Sequence, residues 1–198
     1  MEDKKEKILA AARELFLKED YETVSIRRIA EKAGANSAMI SYYFGGKENL
    51  YFTILEGELG PARAFLDKDW SAAEPENVFR GYLETMSRIH HQFPRFAHLF
   101  LRMQLSEDPA LKKVALDILP RAYEIIGGAV RRGIAAGKFR SDLTLPEALI
   151  LWGGMVNFYF LIAEARRASG ILSGADEKKY LDLALSVFLR GIAKEGKR

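Results

Sequence analysis

Ser25-Ile26-Arg27-Arg28-Ile29-Ala30-Glu31-Lys32-Ala33-Gly34-Ala35-Asn36-Ser37-Ala38-Met39-Ile40-Ser41-Tyr42-Tyr43-Phe44, followed by Gly45-Gly46-Lys47, reads as two short amphipathic helices around a tight turn. Ser25 opens the first, because its hydroxyl can accept a bond from a free backbone N–H of the first turn. Ile26, Ile29, Ala30 and Ala33 recur at helical spacing and form one apolar face. Gly34 stops the helix, since glycine enters the left-handed conformation at little steric cost. Asn36 or Ser37 caps the second helix, which is expected to run to about Phe44. Ile40 and Phe44 share its buried face, whereas Ser37, Ala38, Ser41 and Tyr42 lie on other faces.

A helix, a turn of three or four residues and a short second helix is the helix-turn-helix pattern, in which the second helix enters the major groove of DNA. The outward side chains suit that task. Ser37, Ala38 and Ser41 are small and allow close approach, with Met39 beside them, and Tyr42 and Tyr43 bring hydroxyls that reach phosphates or bases. Lys47 opens the next helix, where its charge and the free N–H groups can hold one phosphate together. Arg27 and Arg28 stand in the first turn of the first helix, where the macrodipole disfavours a cation unless a phosphate is near.

Residues 8–55 resemble the N-terminal domain of the TetR family of bacterial transcriptional regulators. The matching residues are Ser25-Ile26-Arg27, Ile29-Ala30, Ala33-Gly34 and Tyr43-Phe44, followed by Lys47-Glu48 and Leu50. Three positions depart from the family pattern: Arg28 replaces a usual acid, Asn36 a usual serine cap and Ser41 a usual tyrosine. The last of these changes a base-reading position. The resemblance implies an all-α chain of about nine helices. A three-helix DNA-binding domain (residues 1–47) would precede an effector-binding and dimerisation domain (residues 48–198). It implies a homodimer on a palindromic double-stranded DNA operator, repressing until a small-molecule effector releases it. The DNA-binding candidates are Ser25, Arg27, Arg28, Asn36, Ser37, Ala38, Met39, Ser41, Tyr42, Tyr43 and Lys47.

Composition narrows the alternatives. The 198 residues hold 48% hydrophobic and 29% charged side chains and no cysteine. That excludes disulfides, cysteine-ligated zinc and a cysteine nucleophile, and fits a reducing cytoplasm. No secretory leader is visible, and the longest apolar run, Ala148 to Ala163, is shorter than the ~20 residues of a membrane span. The chain is expected to be cytoplasmic, with no membrane contact. Net charge is +3, but residues 1–52 carry nine basic and nine acidic side chains. Any DNA affinity must therefore come from where the cations sit rather than from their number.

Beyond Lys47 a helix is expected to kink or end near Gly60-Pro61. Further helices are predicted over 75–92, 94–105, 108–139 (split at Pro120), 145–168 and 177–194. The helix over 145–168 is apolar on nearly every side, so part of it is expected to pair with the last helix across a two-fold axis. The candidate interface is Trp152, Met155, Tyr159, Leu181, Leu185 and Phe188. Aromatic and Met side chains of the central helices are candidates to line a cavity: Met86, Phe100, Met103, Tyr123 and Trp152, with Asn157 as a polar partner. The histidines, His90, His91 and His98, do not share a metal-ligand spacing, and neither a metal nor a cofactor is implied. An all-helical ligand-binding or enzymatic bundle, or a protein-binding adaptor, is the alternative; no nucleophile–base pair supports an enzyme.

Overall fold

The computed structural model describes residues 2–94, 96–105 and 109–194, with side chains for all of these except 2, 98, 99, 102–104, 109–115 and 164. Local capping chemistry sets where the helices begin. Ser25 Oγ accepts from Arg28 N at 3.2 Å and opens α2 (Ile26–Ala33). Asn36 Oδ1 accepts from Ala38 N at 2.9 Å and opens α3 (Ala38–Phe44). Ser37 occupies the N-cap position without a side-chain bond, so the capping side chain is that of Asn36. Gly34 at φ 59° and Gly45 at φ 75° end the two helices in the left-handed region.

Before them runs α1 (Glu2–Lys18) and after them α4 (Lys47–Glu58) and α5 (Gly60–Asp67). Ile8, Ala12 and Phe16 of α1 are buried with Val24, Ile29 and Ile40, and α4 closes this core with Leu50, Tyr51, Ile54 and Leu55. The Phe16 and Tyr51 rings meet edge to face at 4.7 Å. A boundary at residue 47 would therefore detach α4 from the core it completes. The helix breaks at Leu59, one residue before the expected Gly60, and Pro61 starts α5.

The remaining helices are α6 (Pro75–Gln92), α7 (Phe96–Leu105), α8 (Pro109–Ala135), α9 (Leu145–Leu161), α10 (Ala163–Ala168) and α11 (Glu177–Ile192). Eleven helices among the described residues exceed the expected nine because the fourth and eighth are each broken once, at Leu59 and at Ile162. The split at Pro120 is absent: α8 runs through it, with Pro120 exposed, so water can satisfy the backbone group its ring leaves free. Helix α6 is the axis of this half. Phe79 packs against Trp152 of α9 at 5.2 Å and Phe188 of α11 at 5.1 Å. Two glycines admit aromatic rings: a Cβ on Gly81 would lie 2.4 Å from the Trp70 ring, and one on Gly133 would lie 2.1 Å from that of Phe139. One isolated bridge, Phe139 to Ala193, ties the end of α11 to the turn after α8.

Candidate functional site

Helix α3 presents Ser37, Ala38, Ser41 and Tyr42 to solvent, with Tyr42 74% exposed and packed only edge-on to Tyr43 at 5.1 Å. Ile40 is fully buried beneath them, while Met39, Tyr43 and Phe44 are half-buried against the core. The helix is thus anchored by one face and offers small side chains and a tyrosine on the other.

The cations differ in how they are held. The Arg27 side chain is 86% exposed and meets Glu31 one turn on, at 2.8 Å. Arg28 forks onto both oxygens of Glu19, each at 2.7 Å, and also donates to the Thr23 carbonyl. Lys47 turns inward: its ammonium donates to the Tyr21 carbonyl and sits 3.9 Å from the centroid of the Tyr21 ring. The expectation that Lys47 grips a phosphate meets a lysine spent on fastening α4 to the connector before α2. Lys4 donates to the Gly34 carbonyl at 2.9 Å and so helps close the end of α2.

A cavity of about 630 Å³ opens between α4–α5, α6, α7, α8 and α9. Five of the six expected lining residues, Met86, Phe100, Tyr123, Trp152 and Asn157, border it, and the side chain of Met103 lies outside the described set. Tyr82, one of the central aromatic side chains, and His90 also border it, whereas the sequence reading missed Leu59, whose place on the wall depends on how the helices cross. Gly153 and Gly154 also line the cavity. The Tyr82 hydroxyl donates to Asn157 Oδ1 at 3.3 Å, and burial pushes its pKa up to about 12. The His90 ring stacks on Phe160 at 3.9 Å and its Nδ1 lies 2.8 Å from the Met86 carbonyl. Burial holds its pKa down at about 4, so it is neutral near pH 7. Among the described residues no cluster of His, Cys, Asp or Glu forms a metal site, and no helix is long and apolar enough to cross a membrane.

Residues 8–54 match the family model for the N-terminal domain of bacterial regulatory proteins of the tetR family. This region is a TetR-type DNA-binding domain. One relative of this protein is the HTH-type transcriptional repressor NicS of Pseudomonas putida strain KT2440, 29% identical over 78% of this chain and 74% of that one. The crystal structure of HlyIIR, a hemolysin II transcriptional regulator, superposes with a TM-score of 0.67 at 26% identity, covering 98% of this chain and 99% of that one. FadR from Bacillus subtilis, crystallised with stearoyl-CoA, shares the fold at a TM-score of 0.70 and 17% identity, over 95% and 99% of the two chains. The relatives are transcriptional regulators, not enzymes.

The expected dimer residues sit mostly inside the subunit. Trp152, Tyr159, Leu181, Leu185 and Phe188 are buried in its own core, and Met155 is half-buried. The reason is register: Trp152 and Phe188 meet Phe79 of α6, and Tyr159 stacks on Tyr180 of α11, so their burial is already achieved within one subunit. The outward large apolar side chains of the same two helices are Ile150, Leu151 and Phe158 of α9, 73%, 52% and 57% exposed, and Leu183 and Val187 of α11, 59% and 51% exposed.

Proposed function

We propose that the protein is a dimeric repressor that binds a palindromic DNA operator and is released by a small molecule in the cavity. The observation that carries the reading is the outer face of α3. A tyrosine left almost wholly in water beside three small side chains contributes little to the subunit and suits a major groove. Ser25, Asn36, Ala38 and Met39 set the helices at the groove, and Ser37, Ser41, Tyr42 and Tyr43 face bases or phosphates. Arg27 supplies charge from the edge. Leu151, Phe158, Leu183 and Val187 hold two subunits together, which spaces the two α3 helices at about one turn of DNA.

The cavity supports the release step by its place. Leu59, where α4 breaks, forms part of its wall, and α4 is also a wall of the DNA-binding core. A ligand that prefers one setting of α4 shifts the spacing of the α3 helices by at most its differential affinity for the two settings. The test is a gel shift and footprint against the DNA flanking the protein's own gene at several salt concentrations. A protected palindrome, with affinity falling as salt rises, is the expected result; indifference to duplex DNA at low salt refutes the reading.

A further inference from the structure

The cavity and the outward face of α9 share side chains. Ile150 and Phe158 both line the cavity and both stand well out in water, 73% and 57% exposed. They lie about two helical turns apart, so they share one stripe of α9, with Leu151 beside it. Leu101 of α7 and Tyr123 of α8 line the cavity too, and they are 41% and 45% exposed. The mouth thus has α9 on one side and α7 and α8 on the other, and these four rim side chains are aliphatic or aromatic.

Two physical demands meet at this rim. A small-molecule site typically encloses ~70–90% of its ligand's surface, whereas a ligand seated under these four side chains has solvent on its outer side. The dimer makes the second demand. A standard interface takes about 20–30 residues from each subunit. Six residues of α9 and seven of α11 are exposed, too few to supply it. A dimer closed over these helices must spread onto neighbouring surface. Ile150 and Phe158 carry it onto the rim, because covering them from outside covers one lip of the mouth.

We infer that a second copy of this chain roofs the cavity, its α9–α11 face reaching across the mouth from Ile150 and Phe158 to Leu101 and Tyr123. The inference rests on α9 and α11 being the dimer face, and it adds that the ligand site is incomplete in one subunit. A ligand then binds the dimer more tightly than a lone subunit, and by the same factor it strengthens the dimer. Effector-driven release of DNA takes place within the dimer and not through its dissociation.

Thiol labelling tests the roof, since the chain has no cysteine of its own. Tyr123→Cys places one thiol across the mouth from α9. Leu116→Cys places one elsewhere on α8, at a site 72% exposed that does not line the cavity. In the native dimer residue 123 is expected to react with a maleimide about tenfold or more slowly than residue 116. In the monomer made by Leu183→Glu with Val187→Glu, neither of which lines the cavity, the two rates should agree within about threefold. Where that variant does not fold, Leu151→Glu, also off the cavity wall, supplies the monomer. Comparable rates in the native dimer overturn the roof but not the dimer face, since closure over α9 and α11 alone buries Phe158 and leaves residue 123 open. Equal protection of residue 123 in the monomer assigns it to the subunit itself and overturns the roof as well. A native protein that sediments as a monomer overturns roof and dimer together. The uncharged fluorescent probe 1-aminoanthracene is expected to bind the dimer about tenfold or more tightly than the monomer. Equal binding marks a cavity complete in one subunit and overturns the inference.

Discussion

Arg13 of α1 donates its guanidinium to the carboxylate of Glu58, the last residue of α4, across 45 residues of sequence. The Glu58 side chain is only 9% exposed, whereas Arg13 keeps about half of its surface in water. The pair therefore joins the helix-turn-helix domain to the residue that immediately precedes Leu59, on the cavity wall. Arg13→Ala leaves a buried carboxylate without its cation. The expected loss is about 1–2 kcal/mol of stability, below the value for a fully buried pair because water reaches the arginine side. Arg13→Glu should lose more, and Arg13→Glu with Glu58→Arg should recover part of it. Urea midpoints of these proteins and of the Glu58→Arg single variant check this, and additive losses of the two single charge reversals in the swap would show that the two residues do not interact.

The exposed face of α3 and the cations around it make separable predictions. Ser41→Ala and Tyr42→Ala should each cost about 1–3 kcal/mol of operator affinity and little affinity for random duplex. Arg27→Ala should lower the dependence of log affinity on log salt by about one. Lys47→Ala should change that slope less than Arg27→Ala does, since its ammonium is bound to the Tyr21 carbonyl and ring, and should act mainly by loosening the start of α4. A Lys47 slope change as large as that of Arg27 would mean the lysine leaves Tyr21 to reach DNA.

Much of this was legible in the sequence because it is written locally. Helix periods, the glycine at residue 34 and the polar caps at residues 25 and 36 act within a few residues, so they survive without knowledge of the partner elements. What was hidden depends on how elements cross. Trp152 and Phe188 read equally well as interface or core, because periodicity marks an apolar face but not what covers it. Lys47 looked free because the Tyr21 carbonyl that binds it lies 26 residues earlier in the chain. Trp70 lies before the helix predicted over 75–92, where no periodicity marks it as core, yet it is buried over Gly81 and donates its indole N–H to the Phe65 carbonyl at 2.8 Å.

His90 gives the protein a pH dependence of known sign. Its folded pKa, about 4, lies below the ordinary 6.5, chiefly because burial penalises the charged ring. Between those values the unfolded chain binds a proton that the folded chain does not, so stability falls as pH drops through 6.5 and levels off near 4. The full contribution is on the order of 3 kcal/mol. His90→Gln should flatten that part of the stability–pH curve, read from urea midpoints at pH 7 and pH 5. An unchanged slope would assign it to other groups.

Two glycine-to-alanine changes in helices should act in opposite directions. In Gly133→Ala the new methyl would lie 2.1 Å from the buried Phe139 ring, which must move, at a cost of about 1–3 kcal/mol. At Gly154 nothing lies within 4 Å of a built Cβ, so the gain in helix propensity, up to about 1 kcal/mol, should prevail. Thermal midpoints that move the same way for both would contradict the packing described around Phe139.

The oligomer prediction follows from which apolar side chains remain outside. Leu183 and Val187 are four residues apart on α11 and both more than half exposed, so a charge at either site enters water in an isolated subunit and leaves the core around Trp152 intact. In a dimer closed over this face, the same charge would be buried against an apolar surface with no partner, which is strongly unfavourable. Two-fold symmetry would place each substitution in the interface twice. Leu183→Glu with Val187→Glu should therefore sediment as a folded monomer with unchanged helical circular dichroism. Its operator affinity should fall steeply, because two α3 helices no longer bind as one unit. A variant that remains dimeric would show that the subunits meet through another surface.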